Sequence, residues 1–391
     1  MKNQLEKAIQ DISPLVTDWR RHLHRHPEVS FEEIKTSQFI YDTLQSFGNI
    51  ELERPTRTSV VGRIVGKKPG KILAIRADID ALPIFEKNTF DFISENPGAM
   101  HACGHDGHTA MLLGTAKVLS QFKEELQGEV RLIFQHAEEV YPGGAEELVN
   151  AGVMEGVDWV IGIHLWSPLE YGKIGVIYGP MMAGPDTFFI TIKGRGGHAA
   201  LPHETVDSIA IGAQVVSNLQ HIVSRQINTL DPLVLSVAKF TGGSTHNVIP
   251  GSVEMVGTVR SFNPELRDRV PELMERVVKG VTEAHGADYE FTYEKGYRPV
   301  INDQAVTKIV EELAVELFGE EAIDHMPPSM VGEDFSAYQQ KAPGTFIFVG
   351  AGNVEKGIIY PHHHEQFTVE EAALEKGVRL FVNGAFKFLN D

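Results

Sequence analysis

The chain has 391 residues, of which 42% are apolar and 23% charged, and its 35 basic and 53 acidic side chains leave a net charge of −18. That length exceeds what one hydrophobic core usually supports, so two domains of ordinary globular composition are expected. The acidic surplus repels nucleic acid and anionic lipid, no apolar run approaches the ~20 residues that span a bilayer, and the first residues lack the apolar core of a signal peptide; a cytoplasmic protein with neither of those partners is expected.

Leu5, Ile9, Ile12, Val16, Trp19 and Leu23 recur three or four apart and predict a first helix that stops before Pro27. A second follows at once, with Ser30 and Glu33 at capping-box spacing, Ile34, Ile40, Leu44 and Phe47 on one face, and Gly48 suited to its end. Apolar, β-branched runs at 59–65, 72–75, 130–134 and 159–163 then alternate with helical stretches, the pattern of a mostly parallel sheet flanked by helices. From Thr187 the order changes to strand 188–193, helix 206–226, strands 233–240 and 253–261, helix 264–285 and strand 289–294, a split β-α-β of ferredoxin-like type. The first pattern resumes with helix 304–318, strand 345–349 and helix 369–389. The expected fold is α/β, with 1–182 and 298–391 forming one domain and 183–297 inserted as a second, α+β domain.

Polar residues fall where these strands end. Asp78 and Asp80 follow one run, His136, Glu138 and Glu139 the next, and His164 a third, and ligands of open α/β sheets gather at that edge. Between them, His101-Ala-Cys-Gly-His-Asp-Gly-His108 surrounds the only cysteine of the chain with ligand-type side chains, so Cys103 is either an inert buried thiol or a thiolate held for its chemistry. Cys103 and His105, two apart, project to one side of an extended loop as a chelating pair must. Sulfur, imidazole and carboxylate donors suit Zn²⁺, Mn²⁺ or Co²⁺ better than Mg²⁺ or Ca²⁺, and do not choose among the three. Glu138 and Glu139 are either a solvated helix start or a divided pair, one carboxylate on metal and one acting as general base. Asp78 and Asp80 would orient a ligand histidine or cap strand ends. The triplet His362-His-His364 is either surface or further ligands. In the inserted segment, Gly194-Arg-Gly-Gly-His198 lacks the Lys-Ser/Thr of a phosphate loop, while Asn247 and Arg260 are either turn and surface residues or a pair that holds a carboxylate.

These residues resemble the binuclear metallopeptidase and amidohydrolase family of aminoacylase, carboxypeptidase G, hippurate hydrolase and the plant hydrolases of indoleacetic acid–amino acid conjugates, most closely its hippurate and auxin-conjugate branch. The resemblance runs through Arg20-Arg-His-Leu-His-Arg-His-Pro-Glu28, Arg76-Ala-Asp-Ile-Asp-Ala-Leu-Pro83, Met100-His-Ala-Cys-Gly-His-Asp106, Glu138-Glu139, 194–202, 247–250, Gly332-Glu-Asp-Phe335 and His363. It implies two divalent ions per subunit, Mn²⁺, Zn²⁺ or Co²⁺, on Cys103, His105, Glu139, His164 and His363, with the Cys103 sulfur shared. His363 is taken from its triplet by its spacing from Phe367. Glu138 is then the general base, Asp80 the residue behind a ligand, His198 the oxyanion stabiliser reaching a partner's site, and Asn247 with Arg260 the substrate-holding pair. The implied reaction is metal-dependent hydrolysis of N-acyl amino acids by a homodimer or tetramer joined through the inserted lid domain; dipeptidase or carboxypeptidase activity on the same centre, and a silent metal-binding relative, are the alternatives. His136 stands where the family often has proline.

Overall fold

A computed structural model describes residues 1–390. The Cα framework divides into two compact units, one of Met1–Gly179, Ile301–Pro328 and Asp334–Asp391, the other of Pro180–Val300 and Ser329–Glu333. In chain order the first unit contributes α1 (Lys2–Arg25), α2 (Ile34–Phe47), β1 (Glu51–Glu53), β2 (Val60–Val65), β3 (Lys68–Asp78), α3 (His105–Gln121), β4 (Gln127–Gln135), α4 (Gly144–Asn150), β5 (Trp159–Glu170) and β6 (Ile174–Val176). The second contributes β7 (Gly184–Lys193), β8 (Gly197–His198), α5 (Ser208–His221), β9 (Leu233–Thr241), β10 (Val248–Ile249), β11 (Ser252–Ser261), α6 (Pro264–Ala284) and β12 (Asp288–Lys295). The chain then returns with α7 (Gln304–Phe318), β13 (Ile323–His325), α8 (Ser336–Gln339), β14 (Gly344–Gly352) and α9 (Ala372–Asn390).

The larger sheet has eight strands in the order β1-β2-β4-β3-β5-β14-β6-β13. Its centre, β4-β3-β5-β14, is parallel, as the unbroken apolar runs require, whereas β2 joins β4 antiparallel and β14 joins β6 antiparallel. Register decides what meets at the carboxyl edge. Asp78 pairs with Gln135 and Arg76 with Gly162, which sets Asp78, His136 and His164 at nearly one level. α3 lies beneath that edge, buried on almost every side. A Cβ on Gly114 would come within 2.6 Å of Val16 and 3.0 Å of Val378, so this glycine lets α1 and α9 close on α3.

The first helix ends at Arg25 as its periodicity requires and continues through Pro14, whose side chain is exposed, so the missing N–H bond lies on the solvent side. The capping box expected at Ser30 and Glu33 does not form. Glu33 occupies the N-cap without a side-chain cap bond, Ser30 donates instead to Asp80 at 2.6 Å, and Ile34 is exposed. Both side chains serve the carboxyl edge of the sheet rather than the helix end.

The second unit carries an antiparallel sheet, β9-β11-β7-β12, with α5 and α6 against its apolar face, the ferredoxin-like arrangement. Asp207 and Asn263 cap α5 and α6, each accepting two backbone N–H groups. The expected single helix 206–226 is α5 followed by a π-turn at Ile222–Gln226. No helix among the described residues is long and apolar enough to cross a membrane.

Glu129 on β4 ties the antiparallel edge to the parallel centre, accepting from Arg63 at 3.0 and 2.8 Å and from Arg131 at 2.8 Å. Burial raises its carboxyl, but the bonds from Arg63 and Arg131 outweigh burial and hold it below the ordinary glutamate range. A depressed carboxylate stabilises the fold fully above its unfolded value of about 4.3 and loses that contribution as pH falls through the folded value. Glu129→Gln is therefore expected to cost about 1–2 kcal/mol at pH 7 in urea denaturation, a deficit that closes below about pH 4.

Candidate metal centre

Ligand-type atoms from four segments meet at the carboxyl edge. One atom each from Cys103, His105 and Glu139 lie within 4.8 Å of one another, as do one each from Cys103, His164 and His362. The Cys103 sulfur is 3.6 Å from His164 Nε2, and Glu139 Oε1 is 3.9 Å from His105 Nε2 and 3.2 Å from His363 Nε2. All five positions named for metal are therefore drawn to one place. His362, which the sequence left undistinguished within its triplet, joins them.

Hydrogen bonds sort the histidines by tautomer. His105 Nδ1 donates to the Asp80 carbonyl at 2.9 Å, with Asp80 Oδ1 at 3.2 Å, and His164 Nδ1 donates to the Leu165 carbonyl at 2.8 Å. Each ring thereby turns its Nε2 toward the cluster, and in the neutral form that nitrogen is bare, as a metal ligand needs. His108 differs: it meets Asp78 at 2.6 Å through Nδ1, and its Nε2 accepts the Leu165 N–H at 2.9 Å, so no lone pair remains for an ion. Of the two aspartates, Asp80 thus holds a ligand-type histidine, and Asp78 holds His108.

The fit to cations is tested by the atoms left over. His105 Nε2 and Glu139 Oε1 are buried without a hydrogen-bond partner among the described residues, which is costly unless another group meets them. Burial, followed by the charges of Glu139, Glu138 and Asp78, pushes the Cys103 thiol well above its ordinary value. Burial would strip the proton from His105, yet Asp78 and the hydrogen bond to Asp80 overcome it and raise the imidazole to about 10. The pocket thus demands positive charge, and a proton on His105 supplies it where a divalent ion otherwise would. Sulfur, two Nε2 atoms and a carboxylate form a borderline-soft donor set, and the residues fit.

Glu138 is buried beside this set, and Ala137, just before it, takes φ 49°. His363 takes φ 65° while its N–H donates to the Ala102 carbonyl at 2.8 Å. Such left-handed backbone at non-glycine residues persists only where the surroundings impose it. His136 turns away from the cluster: Nε2 meets Glu147 at 2.8 Å and Nδ1 meets Thr56 at 3.4 Å.

In the second unit His198 and Asn247 are neighbours, because β8 pairs with β10 and Ala199 N–H donates to the Asn247 carbonyl at 3.1 Å. Ala200 N–H donates to His198 Nδ1 at 3.0 Å, so the neutral ring of this exposed side chain carries its proton on Nε2. Arg260 stands apart from them. It lies eight residues along β11 from Ser252, at ~26 Å by strand rise, and the Asn247 segment adjoins the Ser252 end. Asn247 and Arg260 are not brought together within one chain.

A model of the peptidase family M20/M25/M40 matches residues 74–386. The chain belongs to that family. It is a hydrolase, similar to the N-acyl-L-amino acid amidohydrolase of Geobacillus stearothermophilus, with 65% identity over 77% of this chain and 81% of that one. It is also 44% identical to the N-acetylcysteine deacetylase of Bacillus subtilis over 93% of each chain. Among solved structures it resembles the Bacillus subtilis YXEP protein, described as a dinuclear metal binding peptidase of the M20 family, at TM-score 0.85 and 38% identity, covering 97% and 99% of the two chains.

Other motifs that carry the family resemblance frame the site. Arg76, fully buried, donates to Gln135 at 2.7 Å, Asp78 at 2.7 Å and Asp334 at 2.9 Å, and Gln135 donates in turn to Asp334 at 2.8 Å. Asp106, inside the cysteine motif, binds no cluster atom. It accepts from Arg20 at 3.2 Å and His24 at 2.8 Å, while His24 also meets Glu86 at 3.0 Å. Glu33 Oε1 accepts the N–H groups of Phe31 and Ala137, both at 2.9 Å, and so steadies two left-handed residues at once. The available signal was charge: arginines, acids and a histidine inside apolar surroundings must be paired. Arg76→Met would leave Asp78 and Asp334 without their cation and is expected to cost about 3–5 kcal/mol in urea denaturation. Adding Asp334→Asn to that variant should recover part of the loss.

Proposed function

We propose that this protein hydrolyses the amide bond of N-acyl amino acids, N-acetyl, N-benzoyl or similar conjugates, to a carboxylic acid and a free amino acid in a metal-dependent reaction. The observation that carries the reading is the sulfur, imidazole and carboxylate cluster, with two bare Nε2 atoms, at the sheet edge of a chain whose relatives are named for that chemistry. Cys103, His105, Glu139, His164 and His363 would hold two divalent ions, Mn²⁺, Zn²⁺ or Co²⁺. Bound there, such ions polarise the scissile carbonyl and lower the pKa of water toward ~7.

The chain's own residues do the rest. Glu138 takes the proton of the attacking water and returns it to the leaving amine. Asp80 keeps the His105 proton on Nδ1 and its Nε2 bare. His198 offers its Nε2–H to the oxygen that gains charge, the tautomer favoured by its bond from Ala200. Asn247 and Arg260 hold the substrate carboxylate, and the inserted domain acts as lid and dimerisation surface. The ~26 Å of β11 between the Asn247 end and Arg260 supports a crossed homodimer, in which His198 and Asn247 of one chain serve a site whose Arg260 belongs to the other. A cytoplasmic location belongs to the same reading and suits an unpaired thiol.

Glu138→Gln is expected to keep both ions by elemental analysis and to lose turnover by about 10²–10⁴-fold on N-acetyl and N-benzoyl amino acids. Near-normal turnover would remove Glu138 as base, and faster cleavage of dipeptides than of N-acyl amino acids would reassign the substrate. Mixing Glu138→Gln with His198→Ala, each inactive alone, should restore activity, because the hybrid dimer contains one site with both groups intact. No restoration would place His198 in its own chain's site.

A further inference from the structure

His362 lies against the cluster and offers a nitrogen to the cysteine, which makes it look like one more ligand. Its Nδ1 is 3.8 Å from the Cys103 sulfur, close to the 3.6 Å at which His164 Nε2 stands. The other ring nitrogen decides its role. Ser167 N–H donates to His362 Nε2 at 3.3 Å, so the lone pair of Nε2 is engaged and the proton of the neutral ring must sit on Nδ1. Ligation through Nδ1 would move that proton to Nε2 and set two N–H donors against each other across the same gap. His164 shows the opposite pattern, donating through Nδ1 to the Leu165 carbonyl and presenting a bare Nε2. The ring of His362 has little freedom to escape the assignment: it stacks on Trp166 at 4.5 Å and 27°, meets His164 edge-on at 5.0 Å and packs on Phe367 at 4.9 Å.

We propose that His362 is a positioning residue for the metal centre, a neutral imidazole that donates its Nδ1–H to the Cys103 thiolate and does not bind an ion. The charges of Glu139, Glu138 and Asp78 all bear on that sulfur, and a Glu139 oxygen lies within 4.8 Å of it. An N–H donor on its remaining side withdraws electron density from it and fixes its direction, as outer hydrogen bonds to ligating groups do. Neighbouring histidines of one triplet thereby divide the work, His363 turning to Glu139 and His362 to Cys103. The inference rests on the reading of Cys103 as a metal ligand, and the test separates the two.

Cobalt(II) is loaded into wild-type protein and into His362→Phe, His362→Leu, His362→Asn and Cys103→Ser, and cobalt content and the near-ultraviolet sulfur-to-cobalt band are recorded. The expected result is two cobalt ions per chain in wild type and all three His362 variants, with the band moved to longer wavelength in His362→Phe and His362→Leu, where the sulfur loses its donor. His362→Asn, whose amide N–H occupies the place of Nδ1, should return the band toward its wild-type position. Loss of one cobalt ion from both His362→Phe and His362→Leu would make His362 a ligand and overturn the proposal, and an unmoved band with full cobalt would make it a bystander and overturn it equally. A wild-type spectrum without the sulfur band, or one that Cys103→Ser leaves unchanged, would instead sink the metal role of Cys103 and this inference with it.

Discussion

Buried negative charge is the constraint around which the larger unit is built. Asp78, Asp80 and Glu138 end on the same sheet edge as the thiol of Cys103, all of them buried, and like charges in a poorly solvated space repel one another. The fold supplies one permanent counter-charge, Arg76, spanning Asp78 and Asp334, and a second, Arg20, on Asp106 at the far side of the cysteine loop. Neither reaches Glu139 or the sulfur. There the structure resorts to a proton on His105, held to about 10 by Asp78 and Asp80 in spite of burial. A site that keeps an imidazole charged at neutral pH is one in which a divalent cation replaces a proton at a net electrostatic gain.

The backbone, more than the side chains, chooses which imidazoles are available to an ion. Four histidines crowd within a few ångströms, and residue type does not tell them apart. The Leu165 carbonyl and the Asp80 carbonyl each take a proton from Nδ1 and free an Nε2, whereas the N–H groups of Leu165 and Ser167 each occupy an Nε2 and withdraw it. Leu165 acts in both senses through its two backbone groups, one toward His164 and one toward His108. Strain at Ala137 and His363 belongs to the same economy, since a left-handed turn just before Glu138 and at His363 re-aims side chains that a regular strand or loop would leave pointing elsewhere.

The second unit poses a different geometric problem. Its antiparallel sheet holds His198 and Asn247 beside one end of β11 and Arg260 near the other, because register in β11 is pinned residue by residue to β7 over its whole length. A rigid four-stranded sheet does not fold back on itself to join them, so their separation is a property of the fold rather than of any loop conformation.

Much of this was legible from the chain. The apolar runs at 72–75, 130–134 and 159–163 predicted the parallel centre, because strands covered on both faces carry no alternation to misread, and the positions just beyond them predicted where chemistry collects; the run at 59–65 forms the antiparallel strand β2 instead. The cysteine motif was legible from its donor types but not from the geometry expected of it: His105 opens α3 and Gly104 takes φ 93°, so a helix start rather than an extended loop directs the pair. What failed was local reasoning about side chains that act at long range. Ser30 and Glu33 carry the spacing of a helix cap, yet they are spent on Asp80 and on the N–H groups of Phe31 and Ala137, a competition that only the packed structure resolves. The sequence by itself determined the layer order, the sheet edge and the donor types. Tertiary structure alone decided which nitrogen of each histidine is bare, which acid faces which cation, and that Arg260 stands far from Asn247, because each depends on a hydrogen bond or a register joining residues distant along the chain.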